Sequence, residues 1–171
     1  MLFGGPHESD TDSPSAYFLL GRRLQVIGST LRALPEGSLG RAFAAFLDQR
    51  GLDPTGLYHS DVADQSSDVQ RFKLHMERTH DLWHTVLGYD TDVAGELAVQ
   101  AVTIAQLGSG LGAVILSGGL LNSILFAPAD LERRMEAIVH GWRLGKAMRP
   151  LFGADWASML AWPLTRVRRS E

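Results

Sequence analysis

The chain has no cysteine among its 171 residues, and this absence excludes several kinds of chemistry. Disulfide bonds, iron–sulfur clusters, thiolate zinc sites and thiol nucleophiles all require cysteine. Any metal ion would therefore be bound by nitrogen and oxygen atoms.

The chain also lacks an excess of basic residues, because 16 Lys and Arg stand against 19 Asp and Glu, a net charge of −3. Such a chain has no general attraction to nucleic acid, and we expect no nucleic-acid partner.

The alternation of apolar and polar residues that is typical of β-strands is also missing, and apolar residues recur instead at helical spacing. A chain of this length ordinarily folds as one domain. The sequence therefore predicts an all-α fold, a single-domain helical bundle of about six to seven helices over residues 14–171. Residues 1–13 are polar and acidic and contain no basic or apolar leader region, so we expect a mobile tail rather than a signal or transit peptide.

Capping residues mark the ends of the predicted helices. Ser13 and Pro14 are typical of a helix start, and the apolar spacing that follows continues to Pro35. Ser38 predicts the N-cap of a second helix, and Gly51 predicts its end. The other predicted segments are a polar loop over 53–67, a helix over 68–87, a helix capped by Asp92, a helix from Pro128 to before Pro150, and a last segment from Asp155 that Pro163 interrupts.

A long stretch of the chain has no charged residue and no histidine, from Leu97 to Ala129. Its length would suffice to span a bilayer. Its glycines, glutamines and serines favour a break into two helices instead, either buried on all sides or lining a site for a long apolar ligand. These three alternatives predict different exposure of the apolar side chains.

One cluster of residues could carry chemistry. His80 and His84 are four residues apart and so share one face of a predicted helix. Asp81 lies about 100 degrees further round, close enough to reach the same ion or to hold a ligand imidazole in one tautomer. Glu96 follows after a predicted turn that would bring its carboxylate back to the histidines. Together these four side chains predict a site for a divalent cation.

The cluster is similar to known metal motifs without matching them. A zincin motif has glutamate after its first histidine, and metal phosphohydrolases need further His and Asp ligands. Two histidines with one carboxylate also resemble mononuclear non-haem iron sites, so zinc, iron and manganese all remain open. The other four histidines have no partners at ligand spacing and are interpreted as structural or solvated: His7, His59, His75 and His140.

The pattern from His80 to Glu96 resembles the metal motif of a known family, the ubiquinone (coenzyme Q) biosynthesis proteins known as Coq type four. The flanking residues are similar too, with Arg78-Thr79 before the motif and Thr85-Val86-Leu87-Gly88-Tyr89 after the second histidine. Further similar segments are Pro35-Glu36-Gly37-Ser38-Leu39-Gly40-Arg41, Gly141-Trp142-Arg143-Leu144-Gly145-Lys146 and Pro150-Leu151. The resemblance covers roughly residues 17–169.

This resemblance implies an all-helical protein that binds a divalent metal, usually zinc, through His80, Asp81, His84 and Glu96. It also implies one of two roles. The first is metal-dependent oxidative decarboxylation at C1 of a polyprenylated 4-hydroxybenzoate-type precursor, with Asp81 or Glu96 as the proton acceptor. The second is a non-catalytic scaffold that binds polyprenyl lipid and organises other ubiquinone-biosynthesis proteins.

The resemblance and the acidic N-terminus also give expectations about location and assembly. No mitochondrial presequence is visible, so we expect a bacterial member that is cytoplasmic, with peripheral contact to the inner membrane. Trp156, Trp162 and the terminal arginines are the candidate membrane contacts, with a solvated basic helix end as the alternative. A homodimer is the default expectation for assembly.

Overall fold

The computed structural model describes residues 28–52 and 68–169, and their regular secondary structure is helical throughout, without a strand. The all-α prediction is therefore confirmed. The mobile tail over 1–13, most of the first predicted helix, and the predicted loop over 53–67 lie outside the described residues. The described α-helices are α1 (Gly28–Arg32), α2 (Leu39–Arg50), α3 (Asp68–Leu87), α4 (Val93–Leu107), α5 (Gly110–Phe126), α6 (Leu131–Ala147), α7 (Trp156–Met159) and α8 (Leu164–Val167), and Pro128–Asp130 forms a 3-10 turn.

The predicted capping residues occupy the helix ends. The Ser38 side chain accepts a hydrogen bond from the backbone N–H of Arg41, and the Asp92 side chain accepts one from Gly95. Gly51 ends α2 in the left-handed conformation, with φ at 62°. These caps mark the start and end of α2 and the start of α4. Three of the eight described helices, α1, α7 and α8, are only four or five residues long.

Helices α4 and α6 pack closely because two glycines of α6 face α4. A Cβ atom built on Gly141 would lie 3.0 Å from the Cα of Ala98 and closer still to its carbonyl oxygen. One built on Gly145 would lie 2.9 Å from the Cβ of Ala105. Glycine is therefore required at both positions for the two backbones to approach. This contact anchors α4, which carries one predicted metal ligand, to the rest of the bundle.

The uncharged stretch divides into two helices, as its glycines predict. Gly108 ends α4 at a φ of 63°, and Ser109 caps α5. Helix α4 is buried, but α5 is not, since Leu111 is 71% exposed and Phe126 is 77% exposed. The expectation of two helices buried on all sides is therefore wrong for α5, because only a narrow stripe of it contacts α4 and α6.

Within the described ranges, no single helix is long and apolar enough to cross a membrane. Helix α5 has enough apolar length to span a membrane only when it is taken together with the following turn and α6. The two helices are bent by 119° relative to each other.

The C-terminal segment packs against α2 and α3. Trp156 is only 1% exposed and belongs to the main hydrophobic core, so its interpretation as a membrane contact is wrong. The predicted break at Pro163 separates α7 from α8. Arg168 donates hydrogen bonds to the carbonyl oxygens of Thr85 and Val86 at the end of α3. A cation at this position satisfies carbonyls that the helix leaves free.

Candidate metal centre

The two helices α3 and α4 bring two histidines and one glutamate together. Nε2 of His84 lies 3.3 Å from one carboxylate oxygen of Glu96, and Nε2 of His80 lies 3.5 Å from the other. The connection between the helices is short, because Gly88 turns the chain with a φ of 78° and Asp92 immediately caps α4. The predicted hairpin geometry is therefore present.

His84 is completely buried, and its hydrogen bonding determines which ring nitrogen is available. Its Nδ1 lies 3.3 Å from the carbonyl oxygen of Tyr89. A carbonyl can only accept, so Nδ1 carries a proton, and in the neutral ring Nε2 presents a lone pair. Nε2 is buried and has no hydrogen-bond partner among the described residues. A lone pair that faces the Glu96 carboxylate is repelled unless a cation or a proton lies between them.

These separations suit a metal ion. Ligand atoms about 2.0–2.1 Å from a tetrahedral zinc ion are about 3.4 Å from one another. The two separations, one to each carboxylate oxygen of Glu96, are close to that value. With one donor atom each, His80, His84 and Glu96 lie within 4.8 Å of one another. With three protein ligands, a zinc ion held here would have a fourth position for substrate or water, as in catalytic zinc sites.

Asp81 lies outside this group of three donors. Its carboxylate is 3.8 Å from Nδ1 of His80, the ring nitrogen opposite the one that approaches Glu96. The Asp81 carboxylate is the main reason that the pKa of His80 is raised above its ordinary value, with the Glu96 carboxylate adding to the effect and burial opposing it. Of the two roles open to Asp81, this position favours orienting His80 over direct contact with the ion.

Sequence reasoning missed Tyr89, whose backbone carbonyl supports the centre, and the contact of Tyr89 with His140. The backbone carbonyl of Tyr89 fixes the tautomer of His84, and the Tyr89 hydroxyl lies 2.6 Å from Nδ1 of His140 on α6. His140 was interpreted as isolated because its partner is 51 positions away in the chain. Gly88 is the sequence signal that could have indicated this contact. The turn at Gly88 directs the backbone carbonyl of Tyr89 towards His84.

The other histidines are placed as follows. His75 is 8% exposed and its Nε2 lies 3.4 Å from the backbone nitrogen of Gly153, which donates to it. Its ring packs edge-on against Phe152 at a centroid distance of 4.7 Å, so it is a structural residue of α3. His7 and His59 lie outside the described residues.

An apolar groove runs between α4, α5 and α6. It encloses about 430 Å³ and is lined mainly by Ala101, Ile104, Leu116, Ile138, Val139 and Trp142. Ala101 and Ile104 follow Glu96 by five and eight residues on α4, so they lie roughly 7–12 Å further along its axis. The groove therefore lies further along α4 than Glu96, beside α5 and α6.

Comparisons with known proteins identify a family that this chain matches. The profile of the family described as coenzyme Q (ubiquinone) biosynthesis protein Coq4 matches residues 22–171. The mitochondrial ubiquinone biosynthesis protein COQ4 of Clavispora lusitaniae is 29% identical over 145 residues, which cover 82% of this chain and 43% of that protein. The mitochondrial coq4 of Aspergillus flavus is 30% identical over 159 residues, covering 86% and 52%.

A solved structure is similar as well. The crystal structure of a candidate ubiquinone biosynthesis protein from Nostoc punctiforme PCC 73102 has a TM-score of 0.71, with 26% identity and coverage of 89% of this chain and 78% of that one. The chain spans about half the length of the curated relatives it matches. The family profile extends over most of the chain and confirms the resemblance found in the sequence. The chain therefore belongs to the Coq4 family of coenzyme Q (ubiquinone) biosynthesis proteins.

Proposed function

We propose that this chain is a metal-dependent enzyme of ubiquinone biosynthesis, which removes the C1 carboxyl group of a polyprenylated 4-hydroxybenzoate-type ring by oxidative decarboxylation. The observation that carries the proposal is the buried Nε2 of His84, which faces the Glu96 carboxylate without a hydrogen-bond partner among the described residues. The membership of the Coq4 family supports the pathway.

His80, His84 and Glu96 would hold a divalent cation, most simply zinc, with iron or manganese also compatible with two imidazoles and a carboxylate. The cation would supply Lewis-acid chemistry at the ring carboxylate or the phenolic oxygen. Tyr89 keeps His84 in the tautomer that binds metal. The Asp81 carboxylate, 3.8 Å from Nδ1 of His80, attracts a proton to that nitrogen electrostatically and so favours Nε2 as the ligand atom.

Glu96 is the carboxylate that meets the substrate. Its side chain is 39% exposed, against 14% for Asp81, so the carboxylate oxygen that does not hold the cation would accept the phenolic proton. In the overall reaction the ring gives up two electrons to dioxygen. The aryl carboxylic acid, dioxygen and water become the phenol, carbon dioxide and hydrogen peroxide.

The apolar groove would bind the polyprenyl tail. Each methylene group buried there contributes about 0.8 kcal/mol, so a few isoprene units supply most of the binding free energy. The exposed apolar side chains of α5 enlarge this apolar surface. Because polyprenylated substrates dissolve in membranes, we propose peripheral membrane contact through α5 rather than through Trp156.

Turnover by purified protein tests this function. Protein loaded separately with zinc, iron(II) or manganese is incubated under air with a short-chain prenylated 4-hydroxybenzoate, and the loss of the carboxyl carbon and gain of a ring hydroxyl are followed by mass spectrometry. Glu96→Gln should remove turnover, whereas Glu132→Gln, an exposed change of the same kind on α6, should not. Absence of product with every metal would refute the enzymatic function.

The second candidate function is a lipid-binding scaffold that organises other proteins of the pathway. The exposed apolar face of α5 favours it, because large apolar patches mark interaction surfaces. In that case the metal would only fix α3 to α4. Retained metal and co-purified polyprenyl lipid without turnover would favour the scaffold.

A further inference from the structure

A second cavity lies at the C-terminal end of the molecule, away from the metal ligands. It encloses about 120 Å³ between the end of α6, α7 and α8, and its lining includes Trp156, Met159, Trp162, Arg149, Arg166 and Arg169. An apolar cavity of about 150 Å³ in a protein interior accommodates a benzene ring. This cavity is somewhat smaller but opens to solvent between exposed residues, so it can take up part of one six-membered ring and is too small for a polyprenyl chain.

The lining has two distinct parts. Trp156 is buried, and Met159 and Trp162 are half-buried, so they form an apolar floor. Arg149, Arg166 and Arg169 are exposed and form the rim, and none of the described residues that line the cavity is acidic. A floor that suits a ring beneath a cationic rim favours a planar molecule with a negative charge at one end.

The geometry of Arg166 supports this recognition. Its guanidinium lies 3.9 Å above the centre of the Trp162 ring. Stacking of this kind holds the guanidinium plane in a fixed orientation and leaves its edge free to donate two parallel hydrogen bonds to a carboxylate.

Trp156 provides an independent indication of a ligand. It is 1% exposed and forms part of the cavity, and its indole Nε1 has no hydrogen-bond partner among the described residues. A buried indole N–H normally donates to an acceptor, and leaving it unmatched is unfavourable. A ligand oxygen that reaches this buried atom would satisfy it.

We propose that this cavity binds a small aromatic carboxylate, with the ring on Trp156, Met159 and Trp162 and the carboxylate at Arg166 and Arg169. The Trp156 N–H donates to an oxygen substituent or to the carboxylate itself. The site is separate from the metal centre, and none of its lining residues is a metal ligand.

Intrinsic tryptophan fluorescence tests this site directly, since two of the four tryptophans line it. Full-length protein is titrated with benzoate, with benzamide as the uncharged analogue, and with acetate as the carboxylate without a ring. We expect saturable binding of benzoate with a dissociation constant on the order of 1 mM or below, and binding of the two analogues at least about tenfold weaker. The readout needs no metal, so its result is independent of the proposed enzymatic function.

Variants assign the signal to the cavity. Arg166→Gln should weaken benzoate binding about tenfold and Trp156→Phe about fivefold, whereas Arg133→Gln, the same charge change outside the cavity, should leave it unchanged. Arg166 is exposed, so its variant tests the site even if Trp156→Phe fails to fold. Equal binding of benzamide, equal binding of acetate, or an unchanged affinity in Arg166→Gln would each overturn the proposal.

Discussion

The contact between α4 and α6 predicts opposite effects for two glycine-to-alanine substitutions. A Cβ at position 141 would meet the backbone of Ala98, with the carbonyl carbon only 3.0 Å away and the carbonyl oxygen closer. A backbone atom cannot move aside as a flexible side chain can. Overpacking of this kind costs about 1–3 kcal/mol, while alanine is about 1 kcal/mol better than glycine within a helix. We therefore expect Gly141→Ala to lower the free energy of unfolding by up to about 2 kcal/mol.

Gly118 provides the matched control. It lies in the middle of α5, and a Cβ built there has nothing within 4 Å. Gly118→Ala should therefore raise the free energy of unfolding by about 0.5–1 kcal/mol through helix propensity alone. Urea unfolding followed by circular dichroism measures both variants. If Gly141→Ala were as stable as Gly118→Ala, the close approach of α4 and α6 would be refuted.

Three further predictions concern the metal centre. Asp81→Asn should weaken zinc binding about 10- to 100-fold without abolishing it, because Asp81 orients His80. Competition with a chelator measures this affinity, and complete loss of zinc binding would show that Asp81 is itself a ligand. In metal-free protein the raised pKa of His80 stabilises the fold fully at pH values below 6.5, the ordinary pKa of histidine, and this stabilisation is lost as the pH rises through the higher pKa of the folded state. Urea unfolding measured as a function of pH should show this loss, and His80→Gln should not show it. Tyr89→Phe should cost about 1 kcal/mol of stability through loss of the hydrogen bond to His140 but leave zinc affinity nearly unchanged, because the backbone carbonyl that holds His84 remains. A large loss of zinc affinity in this variant would contradict that division of roles.

Local signals in the sequence predicted much of the fold. Ser38, Gly51 and Asp92 act through hydrogen bonds and backbone angles within a few residues, so their positions alone predict helix ends. The spacing of His80 and His84 likewise fixes their shared face, because helical geometry depends only on position along the chain.

Features that depend on contacts between distant segments were not predicted. Helix α5 has no charged residue, so its sequence does not indicate which side faces solvent, and its exposure follows only from the packing of α4 and α6. The sequence around Trp156 does not indicate whether the side chain is exposed, and its burial follows from packing in the main core. The position of Asp81 relative to Glu96 depends on how α3 is rotated against α4, which no short motif determines.

X-ray absorption at the zinc edge of metal-loaded protein is the most direct test of the centre formed by His80, His84 and Glu96. The account predicts nitrogen and oxygen ligands at about 2.0–2.1 Å, with outer-shell scattering from two imidazole rings that falls to one ring in His84→Gln. His140→Gln should leave the spectrum unchanged. A spectrum without imidazole scattering, or one that His84→Gln does not alter, would contradict the assignment of these residues as the metal centre.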